Sequence, residues 1–244
     1  MDKDQFDVTD VNRVRRYHDR GRYDRETVFG ILDRGLVAHV AFVDDGRPVV
    51  IPMAYGRDGD RLFLHSARKG RISTATDGDP VSIGVTLVDG IVVARSLFDS
   101  SMNYRAVVIH GRASLVDGET ERLHALRCIV EHMVPGRWAE VRAPSEQHLK
   151  GTVVLEVEIE TASAKIRDGG VREDYDEADA DVWCGVVPII TAAGAPETAS
   201  DVPGAVPVPS SVHALVRSLG RDAEDSSPSA RNDERARNDS RRPE

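Results

Sequence analysis

Residues 63–71 read Phe-Leu-His-Ser-Ala-Arg-Lys-Gly-Arg, so Arg68, Lys69 and Arg71 bring three cations into four positions, directly after His65 and Ser66. Basic side chains at this density are suited to holding an anion. A guanidinium can grip two phosphate oxygens, an ammonium adds a point charge, and Gly70 lets the backbone come close. If a strand ends near Ser66 and a short helix follows, Ser66 is placed as its N-cap. The cations then fall in the first turn, where the positive helix end disfavours each by roughly 0.3–1 kcal/mol. A bound phosphate reverses the sign of that argument. The competing reading is a solvated basic turn paired with Asp58, Asp60 or Asp77, and spacing alone leaves both open.

The rest of the chain makes such a site local. It has 244 residues, 32 Lys and Arg against 41 Asp and Glu, and a formal net charge of -9. That balance argues against a general nucleic-acid binder and against an anionic membrane surface as partner. The opening MDKDQFDVTD has no apolar run of the secretory kind, and the longest apolar stretch, 185–195, is too short to span a bilayer and contains Pro188. A cytoplasmic location is expected. Cys128 and Cys184 stand far apart without a CxxC spacing, which reads as free thiols. His124 and His132 are eight apart on an expected helix, and no metal site is expected.

The elements that must position the cations follow from periodicity. Residues 1–22 are rich in charge and read as an irregular arm. Residues 23–35 read as a helix capped by Asp24, with Val28, Ile31 and Leu32 on one face and Gly35 as a left-handed stop. The period then switches to two. Strands are expected at 36–43, 48–55 and 61–66, joined by short Asp/Gly turns into an antiparallel meander, with Pro52 marking an edge or bulge. Further strands are expected at 81–88, at 105–116 with a bend or bulge at Gly111, and at 152–161. In the fourth strand Val81, Ile83, Val85 and Leu87 face the core, and Ser82, Gly84 and Thr86 face elsewhere. A helix with an apolar stripe of Leu123, Leu126, Ile129, Val130 and Met133 ends at Pro135–Gly136. Six strands with few helices predict a small antiparallel barrel. Residues 191–219 read as a Pro-rich extended wrap, and 220–244 as a disordered tail.

LHSARKGR after a strand resembles the phosphate-binding segment of the FMN-binding split-barrel family typified by pyridoxamine 5'-phosphate oxidase. The branch containing the nitroimidazole-resistance proteins is closer still. MNYRAVVIHGRA (102–113), with Ala106 where that branch has serine, VDGIVVARS (88–96), VPGRW (134–138) and WCGVVPI (183–189) resemble its further segments. The resemblance runs from about Arg22 to about Ile190. It implies a mainly β fold with accessory helices, a six-stranded antiparallel split β-barrel over 23–190, and a homodimer with FMN at the subunit interface. Carried over by position, Arg68 and Lys69 hold the FMN phosphate, supported by Arg71, Ser66 and the backbone near Ala67. Pro52 and Met53 lie near the isoalloxazine, Thr86 bonds its edge, and Arg105 is the matching arginine of the later strand. A strand-end salt bridge is the other reading of Arg105.

His65 has two readings: a proton donor or substrate contact beside the flavin, and hence the candidate catalytic residue, or a packed histidine bonded to a backbone carbonyl. The chain also departs from the oxidase proper. No cation stands between Glu173 and Arg217, where the oxidase carries a basic segment for its phosphorylated substrate, so oxidation of pyridoxamine phosphate is not expected. The function implied is an FMN-dependent oxidoreductase acting on a small molecule. The alternatives are a non-catalytic flavin store or sensor, and a split barrel binding haem or a deazaflavin.

Overall fold

Two sequence features set the first hairpin. Alternating Ala38, Val40 and Phe42 bury one side of a strand, and Asp45–Gly46, both at positive φ (50° and 72°), turn the chain back. Both central residues at positive φ are what a tight two-residue hairpin needs. In the computed structural model, residues 4–75, 77–172, 181–204 and 206–225 are described. The chain forms two units, 1–87 with 104–167, and 88–103 with 168–244.

The first unit begins with β1 (Gly21–Arg22), α1 (Arg25–Arg34), β2 (Ala38–Asp44), β3 (Arg47–Met53), β4 (Tyr55–Asp58), β5 (Arg61–Ala67) and α2 (Arg71–Ala75). The long strands β6 (Pro80–Val93) and β7 (Ser101–Leu115) pass through both units. Helices α3 (Glu119–Met133), α4 (Arg137–Glu140) and α5 (Glu146–Gly151), then β8 (Thr152–Glu158) and β9 (Thr161–Arg167), complete it. The strands hydrogen-bond in the order β3-β2-β6-β7-β8-β5-β4, with β9 added to β7 and β1 to β9. This is the expected mainly antiparallel class with few helices. The expected meander is not formed. Residues 48–58 split at Ala54 into β3 and β4, which lie at opposite ends of the path, so two hairpins replace three consecutive strands. Strand β9, absent from the six expected, follows β8 after only two residues.

One core holds these strands together. Val40, Leu62, Leu64, Ile83, Val85, Ile109, Leu155 and Val157 are buried in it, with Val28, Ile31 and Leu32 of α1. The Asp24 carboxylate accepts the Thr27 N–H at 2.8 Å and starts α1 as expected. Gly35 does not stop the helix in the left-handed region: its φ is -72°. It is glycine because a Cβ there would collide with Val85 and crowd the Tyr55 hydroxyl. A smaller cluster of Phe63, Ala125, Ile129 and Val154 seats α3 on the opposite side of β5. The face that α3 buries thus centres on Ala125 and Ile129; Met133, at the end of the expected stripe, is exposed. Gly56 of β4 lies against the α3 backbone at Cys128 and Ile129, where a Cβ could not fit.

The described part of the arm, 4–22, has little regular structure before the 3-10 turn at His18–Arg20 and β1, but it is anchored. Phe6 enters the core, and the Asn12 amide donates to Thr161 Oγ1 at 2.5 Å and to the Ala162 carbonyl at 3.0 Å. In the second unit, β10 (Gly185–Pro188) pairs antiparallel with β6 at Gly90–Val93. Helix α6 (Ser210–Asp225) occupies the end of the expected extended wrap and the start of the expected tail. Residues 226–244 lie outside the described residues. No helix among the described residues is long and apolar enough to cross a membrane. Cys128 and Cys184 are free.

Gly111, read from the sequence as a bend or bulge, stands where the pairing partner of β7 changes. Strand β7 pairs with β9 over Tyr104–His110 and with β8 over Ala113–Leu115, and between them the Glu158 carbonyl lies against Gly111. Gly111→Ala and Gly56→Ala should each cost about 1–3 kcal/mol of stability, the usual range for overpacking. Gly84, where an added Cβ meets nothing, is the control. Urea midpoints for the first two indistinguishable from Gly84→Ala would refute both close approaches.

Candidate functional site

The cation turn is built by a strand end and a backbone lock. Strand β5 runs through Ala67, so Ser66 is a strand residue and does not cap α2, which starts only at Arg71. The Gly70 N–H donates to the Ala67 carbonyl at 2.7 Å, and the Ser73 N–H to the Gly70 carbonyl at 3.1 Å. Gly70 folds so closely on Ser66 Oγ that a Cβ could not fit. Arg68 is fixed twice: its N–H donates to the Gly151 carbonyl at 3.1 Å, and its Nε donates to the Lys150 carbonyl at 2.9 Å. That holds the guanidinium by one edge. Arg68 and Lys69 are both exposed and have no ion pair among the described residues. Arg71 is not free in the same way, since its Nε pairs with Asp44 Oδ2 at 2.6 Å.

The carboxylates that could have neutralised the turn are engaged elsewhere. Asp58 pairs with Arg61 and His124, and Asp60 pairs with Arg25. Asp77 accepts the Leu115 N–H at 3.3 Å. The reading of a basic turn satisfied by Asp58, Asp60 or Asp77 is therefore not what the fold builds.

A second feature is the outward side of β3, β2, β6 and β7. Register places Pro52 beside His39, His39 beside Gly84, and Ala41 beside Ser82. Ser82 Oγ lies 2.8 Å from His110 Nδ1, which ties β6 to β7 on this side. Alternation adds Thr86, which is exposed. The result is a shelf that is level at Gly84 and carries two histidines, a serine and a threonine. Asp44, at the cation turn, is five residues along β2 from His39, or ~17 Å at strand rise.

Not every candidate residue reaches this shelf. Pro52 and Thr86 do. The Met53 side chain packs on the core instead. Arg105 is half-buried and shares its side of β7 with Val107 and Ile109, opposite to His110. His65 lies on the Phe63 side of β5, the side that carries α3, while Ser66 lies on the other. It is exposed and bonded to nothing among the described residues, so it is not a packed histidine satisfying a carbonyl. His39, Ser82 and His110 were missed as site residues. The signal was present in the alternation, because each falls on the strand side opposite the buried residues.

Burial holds the His110 imidazole below the usual histidine range. At mildly acid pH the unfolded chain therefore takes up a proton there that the folded chain refuses. Stability should fall as pH drops below about 6.5, the unperturbed histidine value. His110→Gln, which can still bond Ser82, should show a shallower loss between pH 6.5 and 5 in thermal melts. Parallel curves for both proteins would remove His110 from that slope.

The model of the pyridoxamine 5'-phosphate oxidase family matches residues 24–166. The chain belongs to this family. It is 34% identical to the flavocytochrome Anf3 of Azotobacter vinelandii, with TM-score 0.79 over 84% of this chain and 96% of that one. It is 35% identical to the FAD and haem binding protein of Mycobacterium smegmatis, with TM-score 0.77 over 81% of this chain and 97% of that one. A candidate 5-nitroimidazole antibiotic resistance protein of Bacteroides thetaiotaomicron shares the fold at 21% identity and TM-score 0.52, over 60% and 86% of the two chains. No curated protein matches the chain.

Proposed function

We propose that this family member is a flavin-nucleotide-binding redox protein whose cation turn takes the nucleotide's phosphate. The observation that carries the reading is the Arg68 guanidinium, held by its Nε edge on the Lys150 carbonyl with Lys69 beside it and no carboxylate paired to either among the described residues. A cation positioned in advance and left without a counter-charge fits a phosphate, and the bound phosphate would gain charge-assisted hydrogen bonds. Ser66 and the Ala67–Gly70 backbone would support it. The shelf of Pro52, Gly84 and Thr86 would lie along the ring. When bound, a flavin supplies hydride and single-electron chemistry; the protein's part is to orient it and limit water.

FMN follows from the family resemblance, whereas one relative is named for FAD and haem and another as a flavocytochrome. Haem is a second reading supported by those relatives, and it needs an axial ligand, commonly histidine. Three strand residues are histidines. His110 is bonded to Ser82, whereas His39 and His65 are exposed and without bonding partners among the described residues. On this reading His39 or His65 takes the iron, which gives His65 a role as ligand in place of proton donor.

The test is the absorption spectrum of the purified chain before and after addition of FMN, FAD, riboflavin or haemin. FMN or FAD should bind tighter than riboflavin, and Arg68→Ala with Lys69→Ala should abolish that preference. Each lost charged hydrogen bond is worth about 1.5–3 kcal/mol. Equal affinity for riboflavin and the nucleotides would overturn the phosphate assignment. A Soret band lost in His65→Ala or His39→Ala would identify the iron ligand, a band unchanged in both would rule out either histidine as that ligand, and a parent that shows no Soret band with haemin would end the second reading.

A further inference from the structure

The arm before α1 is a basic stretch in an acidic chain. Positions 13–25 carry six arginines against two aspartates, while the whole chain has net charge -9. Arg13 and Arg25 have acidic partners in Asp10 and Asp60, and Asp24 is engaged in capping α1. Arg15, Arg16, Arg20 and Arg22 have no ion pair among the described residues. Strand β1 lays Gly21 beside Lys165 of β9, which adds a fifth cation with no ion pair among the described residues. Three of these charges meet at one ring. The Arg20 guanidinium lies 4.1 Å from the centre of the Tyr17 ring, that of Arg16 5.0 Å and the Lys165 ammonium 5.9 Å. Arg16 also donates to the Tyr17 hydroxyl at 3.4 Å, and Lys165 Nζ to the Arg16 carbonyl at 3.0 Å. The backbone beneath is fixed. The Val14 N–H donates to the Tyr23 hydroxyl at 2.8 Å, and the Arg20 N–H to the Tyr17 carbonyl at 3.0 Å. Tyr17 itself is 47% exposed and holds φ 54° and ψ 56°, a left-handed conformation uncommon for a bulky side chain.

We infer that Arg16, Arg20 and Lys165 around Tyr17 form a second anion site, for a compact ligand that carries several phosphate charges. The ring face attracts each cation but cancels none of its charge. Asp19, the acid of that turn, is ion-paired to none of the three. The cluster is therefore a concentration of like charge that an outside anion neutralises. Guanidinium groups favour phosphate oxygens, which they can meet two at a time. Three cations within 6 Å of one ring centre match a di- or triphosphate better than a single phosphate. They also fit a compact ligand better than a nucleic acid or a membrane. Those engage cations spread along a face, and would meet the repulsion of the chain's net negative charge. The site is apart from the cation turn. Strands β8 and β9 run the same way along β7, with Thr152 beside Ala67 at one end of that run and Lys165 near the other. The inference is therefore independent of which cofactor that turn takes.

The test is isothermal titration calorimetry of the full-length chain with inorganic triphosphate, ATP and orthophosphate, with thermal melts as the fold control. Triphosphate and ATP should bind, and orthophosphate at least about 10-fold more weakly. All affinities should fall as salt rises to about 0.3 M. Arg16→Gln with Arg20→Gln should raise the triphosphate Kd at least about 10-fold. Tyr17→Leu leaves every charge in place but removes the ring that gathers them, and should raise it about 3-fold. Arg68→Ala with Lys69→Ala should leave it unchanged, which separates this site from the proposed flavin site. ATP binding tighter than triphosphate would identify a nucleotide as the ligand, and ATP binding no tighter would identify the phosphates alone; the site stands in both cases. Absence of triphosphate binding would overturn the proposal, and so would orthophosphate binding as tightly as triphosphate. A Kd unmoved in the Arg16 and Arg20 variant, or binding lost in the Arg68 and Lys69 variant, would overturn it as well.

Discussion

The first unit depends on a single strand serving two partners. Strand β7 is bonded to β9 along one half and to β8 along the other, and β8 and β9 are consecutive strands joined by two residues. Both pair antiparallel along β7, with His110 opposite Thr161 and Ala113 opposite Val157, so the register slips by one residue between them and the extra residue falls on the β8–β9 side. At the slip the Glu158 carbonyl sits where a side chain on β7 would otherwise stand, and Gly111 is the residue that allows it. On either side of it, Ile109 and Ala113 enter the same core as Leu155 and Val157 of β8 and Ala162 and Ala164 of β9. A side chain at 111 would push the Glu158 carbonyl away and disturb the pairing on both sides of it.

A second node fixes the strand that leads to the cation turn. Tyr55 is fully buried at the start of β4, and its hydroxyl bonds the Leu32 carbonyl and lies 2.9 Å from that of Gly35. Burial pushes its phenol well above the usual range, so it stays a neutral donor. His132 Nε2 donates to the same Gly35 carbonyl at 2.7 Å, and its ring packs 4.5 Å from that of Tyr55. These bonds satisfy carbonyls at the end of α1 and draw α1, β4 and α3 to one point. Beside it, Gly56 lets α3 rest directly on β4. Strand β5, hydrogen-bonded to β4 on one side and β8 on the other, is then held in register up to Ala67, where the cations begin.

Much of this was legible in the sequence because it is local. The Asp24 cap, the Asp45–Gly46 turn, the alternation of Val81, Ile83 and Val85, and the stop at Pro135 each depend on neighbours a few residues away. The strand order was not legible, because the break at Ala54 sends β3 and β4 to opposite ends of the path and no local residue signals it. Gly35 was read as a helix stop and is instead a contact glycine, since the residues it makes room for, Tyr55 and Val85, are distant in sequence. The cations of the site were plain from their density. The shelf was not, because His39, Ser82 and His110 become neighbours only when β2, β6 and β7 pair. The basic turn illustrates the same limit: whether Asp58 or Asp60 neutralises it is decided by Arg61, His124 and Arg25, which tertiary structure brings to those carboxylates first.

That distribution of carboxylates bears on ligand choice. In a chain with more acids than bases, two adjacent cations without ion pairs among the described residues have been kept apart from many available partners. Asp44 is occupied by Arg71, and the Lys150 carbonyl takes the Nε edge of Arg68 without cancelling its charge. On the proposed reading the turn would select for an anion but not strongly for its shape, since a nucleotide phosphate and a haem propionate both satisfy a guanidinium and an ammonium. Discrimination would then come from groups that touch the ring or the metal. On the shelf the residues around Gly84 are small and neutral, which would suit a flat ring. His39 and His65 are exposed and bonded to nothing among the described residues, which would suit a metal. The charge that captures a cofactor would then be separate from the side chains that decide which cofactor is kept.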